Sequence, residues 1–291
     1  MALPSSDVNL IPADRHDTYP SIDPTKANLA GRVVLITGAS RGLGKGTAIA
    51  FAKAGVSGLA LLARSDMSDV EAACMAAQRP GQALRVLALA ADTTNKAQVA
   101  AAAERVRETF GRLDVLVNNA GIIESSMKLI GETDSDEWWN VFRVNVLGTY
   151  QVTRACLPLL IGCGGDKMVF NLSSIAAHLL GKYNSAYRMT KLAICRFTEQ
   201  LALEYSPMGL ISIAIHPGFV ATSMADSMPP GTKHILVDKP ELAGDTLVWL
   251  AKEKREWLSG RFVNCQWDMD ELLLKKDVIL SGSLLTVKLK I

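Results

Sequence analysis

The chain has 291 residues, 49% of them hydrophobic and 21% charged, so it can bury a large core, and global disorder is excluded. Its 31 basic and 29 acidic residues leave a net charge of +2, too weak a field to point to nucleic acid or an anionic membrane as partner. No run of about 18 apolar residues occurs, so no transmembrane helix is expected.

Residues 1–28 lack a basic start and an apolar run and do not read as a secretory signal. Their four prolines predict an irregular arm. Beyond them, short apolar runs alternate with helical patterns. Arg32–Thr37 reads as a strand, Gly44–Ala54 as a helix stopped by Gly55, and Leu59–Ala63 as the second strand. Met67–Gln78 is a helix broken by Arg79-Pro80-Gly81, and Ala83–Ala90 is the third strand. The alanine-rich helix Ala97–Phe110 leads through Gly111 to a fourth strand, Leu113–Asn118. One long helix is predicted over Asp136–Ile161, with Pro158 disturbing its last turn. A fifth strand, Lys167–Ser173, precedes a second long helix, Asn184–Ser206, closed by Pro207 and Gly209. Leu210–His216, Pro240–Ala251 and Arg261–Cys265 complete the series as strand, helix and strand.

These strands are continuous apolar runs, which implies burial on both faces, as in a parallel sheet covered by helices. Strict β–α alternation then gives an α/β fold: a Rossmann-like, doubly wound parallel sheet of about seven strands in one domain. The division is an arm at 1–28, a catalytic domain at 29–267, and a tail at 268–291 that forms a helix and a strand packed on the body or on a partner subunit. The five cysteines, Cys74, Cys156, Cys163, Cys195 and Cys265, are odd in number and contain no C-x-x-C pair. Reduced thiols in a cytoplasmic protein are expected, with no metal site.

The first strand runs into Thr37-Gly38-Ala39-Ser40-Arg41-Gly42-Leu43-Gly44 and a helix. Glycines there let the backbone turn tightly and approach a pyrophosphate, while the helix start offers free N–H groups. The spacing T-G-x-x-x-G-x-G resembles the short-chain dehydrogenase/reductase family. Asn118-Asn119-Ala120-Gly121 matches the family's N-N-A-G, and Asn145 its helix asparagine. Ser174 ends the run after the fifth strand, and Tyr187 and Lys191 match Y-x-x-x-K, with Tyr187 thirteen residues beyond Ser174. Pro217-Gly218-Phe219-Val220-Ala221-Thr222 matches P-G-x-V-x-T. Asp92 follows the third strand, where the family places an adenine-contacting aspartate. Every motif over roughly residues 29–265 stands in order beside its expected element.

The resemblance implies an oxidoreductase that moves hydride between a nicotinamide and a carbonyl/alcohol pair of a hydrophobic small molecule. Tyr187 is then the acid/base. Lys191, one turn away on the same face, lowers its pKa and reaches the nicotinamide ribose; a phenol near 10 otherwise exchanges protons poorly at neutrality. Ser174 orients the carbonyl, and Asn145 holds a relay water. Gly38, Ser40, Arg41, Gly42, Leu43, Gly44, Arg64, Asp92, Asn119, Ala120, Gly121, Pro217, Gly218, Val220 and Thr222 join Tyr187 and Lys191 in contacting the cofactor.

The second strand ends Ala63-Arg64 without the acid that binds a ribose 2′-hydroxyl. Arg64 and Arg41 instead bracket the place of a 2′-phosphate, so NADP(H) is expected. A dehydratase, isomerase or cyclase on the same fold, or a non-catalytic cofactor sensor, are the competing readings; intact Ser174, Tyr187 and Lys191 speak against both. Arg188, where the family often has a small residue, is expected to point to solvent. His178 is placed near the substrate pocket and His216 as strand-end packing. Trp138, Trp139, Met224 and Met228 are candidates for an apolar wall. The stretch Ser259–Leu272 resembles some fungal members tied to secondary metabolism. Apolar residues on more than one face of the long helices (Val141, Val144, Leu147, Tyr150 and Leu157; Ile194, Phe197, Leu201 and Leu203) point, as in the family, to a homodimer or homotetramer.

Overall fold

The computed structural model describes residues 10–11, 14–162, 164–222, 224 and 230–289; Cys163 and Met228 lie outside them. Seven parallel strands form one sheet in the order β3-β2-β1-β4-β5-β6-β7. They are β1 Val33–Thr37, β2 Gly58–Ala63, β3 Arg85–Ala90, β4 Val115–Asn118, β5 Met168–Leu172, β6 Ile211–His216 and β7 Arg261–Asn264. The order reverses between β1 and β4, which pair from Val34↔Val115 to Ile36↔Val117. Chain connections leave this junction in opposite directions, so a crevice opens beyond the carboxyl ends of β1 and β4.

Strands β1, β2, β4, β5 and β6 are buried at every position, because helices cover both faces. On one face lie α1 Gly42–Lys53, α2 Ser68–Ala77 and α7 Pro240–Ala251; on the other α3 Lys96–Phe110, α5 Thr149–Gly162 and α6 Ser185–Tyr205. The continuous apolar pattern of β3 misleads in part. It is an edge strand and stays largely solvent-accessible. The opposite edge strand is covered: the N–H of Phe262 donates to Leu285 O at 2.8 Å.

The single helix expected over Asp136–Ile161 is corrected. After α4, Ser135–Phe142, the chain makes a π-helical turn over Arg143–Gly148 before α5 begins. One extra residue per turn is a frequent mark of functional sites, and Asn145 lies within it. The tail is also corrected. It forms two short helices, α8 Met269–Leu274 and α9 Lys276–Ser281, and no strand among the described residues. Met269, Leu272 and Ile279 are buried in the main core, so the tail is packed on its own body.

The described residues of the arm are irregular apart from a 3-10 turn at Pro24–Lys26, yet they are tied down. Arg15 pairs with Asp268 at 2.5 Å, His16 Nδ1 with Asp238 at 2.5 Å, and Tyr19 accepts from Met269 N at 2.7 Å. The four described cysteines are free and buried. Among the described residues no helix is long and apolar enough to cross a membrane, and no group of three His, Cys, Asp or Glu is placed to hold a metal ion.

Candidate active site

The glycine turn is held open by the end of β4. Thr37 Oγ1 accepts from the N–H groups of Asn119 and Ala120, both at 3.0 Å. Asn119 Nδ2 donates to Thr37 O at 2.8 Å and to Gly38 O at 3.2 Å. A Cβ at Gly38 would fall 2.9 Å from Ala120 Cα, and one at Gly44 would fall 2.3 Å from Gly38 O, so only glycine permits this approach. Gly42, with φ 54°, opens α1, and a Cβ there would meet Thr222 Cγ2 at 3.5 Å. The turn and the Pro217–Thr222 loop are therefore neighbours. Arg41 precedes α1 without a capping side chain, leaving the first-turn N–H groups available. These residues fit the phosphates of a dinucleotide. Ser40, Leu43 and Val220 sit in the same two loops.

Further along the sheet, Asn118 Nδ2 donates to Thr153 Oγ1 at 2.9 Å and Asn171 Oδ1 at 2.8 Å; Asn171 Nδ2 donates to Thr198 Oγ1 at 3.0 Å. This buried network locks β4, β5, α5 and α6 in register, which a conserved-volume apolar core would not do as specifically.

The four residues expected to carry the chemistry converge. Asn145 holds Ile122 by both backbone groups, accepting from its N–H at 2.8 Å and donating to its C=O at 2.9 Å. The same Nδ2 donates to Thr190 Oγ1 at 3.0 Å on α6. A Cβ at Gly121 would meet Asn145 Oδ1 at 3.2 Å and Lys191 Nζ at 3.5 Å, so both groups face one spot. Lys191 is buried, donates to Leu172 O at 2.7 Å, and stands 5.5 Å from the Tyr187 ring centroid. Ser174 caps a 3-10 turn by accepting from Ala176 N at 3.1 Å, and its hydroxyl also hydrogen-bonds the Tyr187 phenol.

The expected lowering of the Tyr187 pKa by Lys191 is corrected for the protein alone. Burial pushes the phenol above its ordinary value and outweighs the Ser174 hydrogen bond that opposes it. Burial likewise pushes Lys191 down, to about 8. The Lys191 ammonium is directed to the Leu172 carbonyl rather than the phenol oxygen, which explains why desolvation prevails.

Other expectations fare differently. Arg188 does not point to solvent: it turns back to donate to Leu179 O at 2.8 Å and Tyr183 O at 3.3 Å, bracing the loop before α6. His216 is buried as strand-end packing against the edge of Phe219. His178 turns its ring to Phe262 and Cys195. Trp138 stacks on Phe142 and donates to Ser185 Oγ at 3.0 Å, while Trp139 is exposed. Met224 is half-buried. Asp92 makes a local turn with Thr94 and a loose pair with Arg64 at 3.8 Å; Asn95, not Asp92, caps α3.

Sequence reasoning missed Glu124. It is buried, and its carboxylate accepts from Ala186 N and Tyr187 N at the start of α6. An acid directly after the apolar pair Ile122-Ile123 that follows Gly121 was the available signal.

Residues 32–233 match the profile of a family described as short chain dehydrogenase. The short chain dehydrogenase mpl6 of Monascus purpureus is 47% identical over 288 residues, which cover 98% of each chain. A short chain dehydrogenase structure from Pseudomonas syringae superposes with a TM-score of 0.74 at 30% identity, over 87% of this chain and 99% of that one. The carveol dehydrogenase of Mycobacterium avium in complex with NAD has the same fold, with a TM-score of 0.73 at 18% identity, over 82% and 97% of the two chains.

Proposed function

The chain belongs to the short chain dehydrogenase family, and from that premise we propose that it is an NADP(H)-dependent oxidoreductase reducing a ketone or aldehyde of a hydrophobic small molecule, or oxidising the corresponding alcohol. The observation that carries this reading is the convergence of Ser174, Tyr187, Lys191 and Asn145 in a fold whose glycine turn leaves its first-turn N–H groups uncapped. A bound nicotinamide supplies or accepts hydride; the protein's task is to place the carbonyl and move one proton. Ser174 donates to the carbonyl oxygen and holds it at the phenol. Tyr187, protonated at neutral pH as a phenol is, delivers the proton to that oxygen. Lys191, whose pKa falls to about 8, is able to resupply a proton near neutrality, and Asn145 faces the same spot to guide it.

Two cations favour a 2′-phosphate. Arg64 follows β2 with its side chain 72% exposed, and its pair with Asp92 is too loose to consume it. Arg41 lies on the glycine turn and is exposed as well. A guanidinium grips a phosphate dianion with two bonds, which a ribose hydroxyl cannot exploit. NADPH is therefore expected to bind at least about tenfold tighter than NADH, a difference of about 1.4 kcal/mol, and Arg64→Ala to remove most of the gap. Fluorescence titration of both cofactors measures it; equal affinities in the unmutated protein defeat the assignment. An NADPH-consumption screen over a panel of hydrophobic carbonyls, with product identification, tests the reaction.

Assembly as a homodimer or homotetramer belongs to the same reading. Part of the apolar surplus on the long helices is used within the chain, since Val141, Ile194 and Leu201 are buried there. Leu147, Tyr150, Met189, Leu192 and Leu203 remain exposed on the π-turn, α5 and α6. The described part of the arm packs against Asp238, Asp268 and the core around β7, and the tail's Val287 bonds Arg196 and Glu199 on α6, yet these five side chains stay exposed. Two-fold pairing of these faces buries the remainder on both subunits. Light scattering at micromolar concentration is expected to give two or four times the 31.3 kDa chain mass; a monomer mass rejects the interface.

A further inference from the structure

Helix α6 begins without a local cap. Asn184, at the N-cap position, has φ 53°, and Tyr183 before it has φ 68°. Asparagine normally caps a helix from extended backbone; here that conformation is given up, and the side chain makes no capping bond. Its buried Oδ1 has no hydrogen-bond partner among the described residues.

The cap comes from the loop after β4. Glu124 Oε1 accepts from Ala186 N at 2.7 Å, and Oε2 from Tyr187 N at 3.2 Å. These are N–H groups that a helix start leaves unpaired, and a carboxylate satisfies them with charge-assisted bonds at the positive end of the helix dipole. The loop is fixed at its other end, where Asn145 clamps Ile122. The following residue is fixed as well, since Ser125 N donates to Glu137 of α4 at 2.5 Å. Glu124 is thus a short rigid link between the π-turn that holds Asn145 and the helix that carries Tyr187.

Resting on the reading of Tyr187 as the proton donor, we propose that Glu124 is a positioning residue, whose carboxylate caps α6 from outside the helix, fixes the place of the Tyr187 phenol and sets a negative charge beside it. A serine at position 184 in extended backbone would cap the helix without burying an acid beside the site. The charged and polar groups facing Tyr187 are Glu124 from the β4 loop, Ser174 from the turn after β5, and Arg188 and Lys191 on α6 itself. Burial pushes the phenol up, Ser174 and Arg188 draw it down, and the Glu124 charge adds to the upward side.

The test compares the unmutated protein with Glu124→Gln, Glu124→Asp and Tyr187→Phe. Tyrosine labelled with carbon-13 at the hydroxyl-bearing ring carbon is titrated by NMR. Among the five tyrosines, the Tyr187 signal is the one lost in Tyr187→Phe. Glu124→Gln keeps size and one acceptor but not the charge. It is expected to bind NADPH normally, lose about tenfold to a hundredfold in kcat with little change in KM, and titrate Tyr187 about half a unit or more lower. The rising limb of alcohol oxidation should move to lower pH by the same amount. Glu124→Asp keeps the charge but shortens the reach, so it should lose kcat while the Tyr187 midpoint stays within a few tenths of a unit. An unmoved midpoint in Glu124→Gln overturns the proposal even if kcat falls, because a purely structural cap predicts that. Full kcat in Glu124→Asp overturns it too, and this variant keeps the test open if Glu124→Gln does not fold. If Tyr187→Phe still turns over, the reading of Tyr187 fails and takes the proposal with it. If Tyr187→Phe is inactive while Glu124→Gln matches the unmutated protein, the proposal alone fails.

Discussion

Tyr187→Phe is expected to keep the fold and the affinity for NADPH while turnover falls by about 10²–10⁴-fold, the range that a positioned acid contributes. The substitution removes one oxygen and no packing atoms, so the ring still lies 5.5 Å from Lys191 and the helix keeps its Glu124 cap. What disappears is the group that Ser174 hydrogen-bonds and that burial holds protonated. The direction of that pKa shift fixes the sign of the pH dependence. A phenol above its ordinary value stays protonated throughout the neutral range, so reduction should be flat with pH there. Alcohol oxidation needs the phenolate and should climb as pH rises through the alkaline range. Steady-state kinetics in both directions, with circular dichroism and an NADPH titration on the variant, decide the matter. A variant that reduces carbonyls at an undiminished rate sinks the assignment of the proton donor.

The sheet was legible because its signals are local and redundant. Each strand is an apolar run next to a helix of the right length, and the run from Gly38 to Gly44 places glycine where the backbone admits nothing else. The pair Tyr187 and Lys191 was legible from spacing, since four residues on a helix make about one turn, whereas Ser174 was legible only through the family resemblance. Three things were not. The π-turn at Arg143–Gly148 leaves the apolar pattern almost unchanged, and it goes with a tertiary contact, Asn145 with Ile122, that no local pattern encodes. The turning back of Arg188 depends on two carbonyls supplied by an irregular loop. Glu124 carries no motif, because a cap donated across the fold leaves no fixed spacing between donor and helix. The balance on Tyr187 was misjudged for a related reason. Proximity of a lysine can be read from sequence, but burial and the direction in which an ammonium points cannot.

Gly44→Ala is expected to destabilise the fold by about 1–3 kcal/mol and to abolish measurable NADPH binding at micromolar cofactor. The added methyl would sit 2.3 Å from Gly38 O and 2.7 Å from Asn119 Nδ2. The first of these is backbone, so no side-chain rotation relieves it. The turn must swing away, and with it goes the bond from Asn119 Nδ2 to Gly38 O that ties the turn to β4. Two losses follow from one movement. The β1–β4 junction loses its polar lock, and the glycine turn beside Thr222 loses its shape. Gly131→Ala is the control: nothing lies within 4 Å of a Cβ there and the residue is exposed, so stability should change by less than about 0.5 kcal/mol. Denaturant melts of both variants, together with cofactor fluorescence titrations, measure the two effects separately. A Gly44→Ala protein that is as stable as the unmutated chain and binds NADPH as tightly would mean that the glycine turn is neither strained by a side chain nor part of the cofactor site.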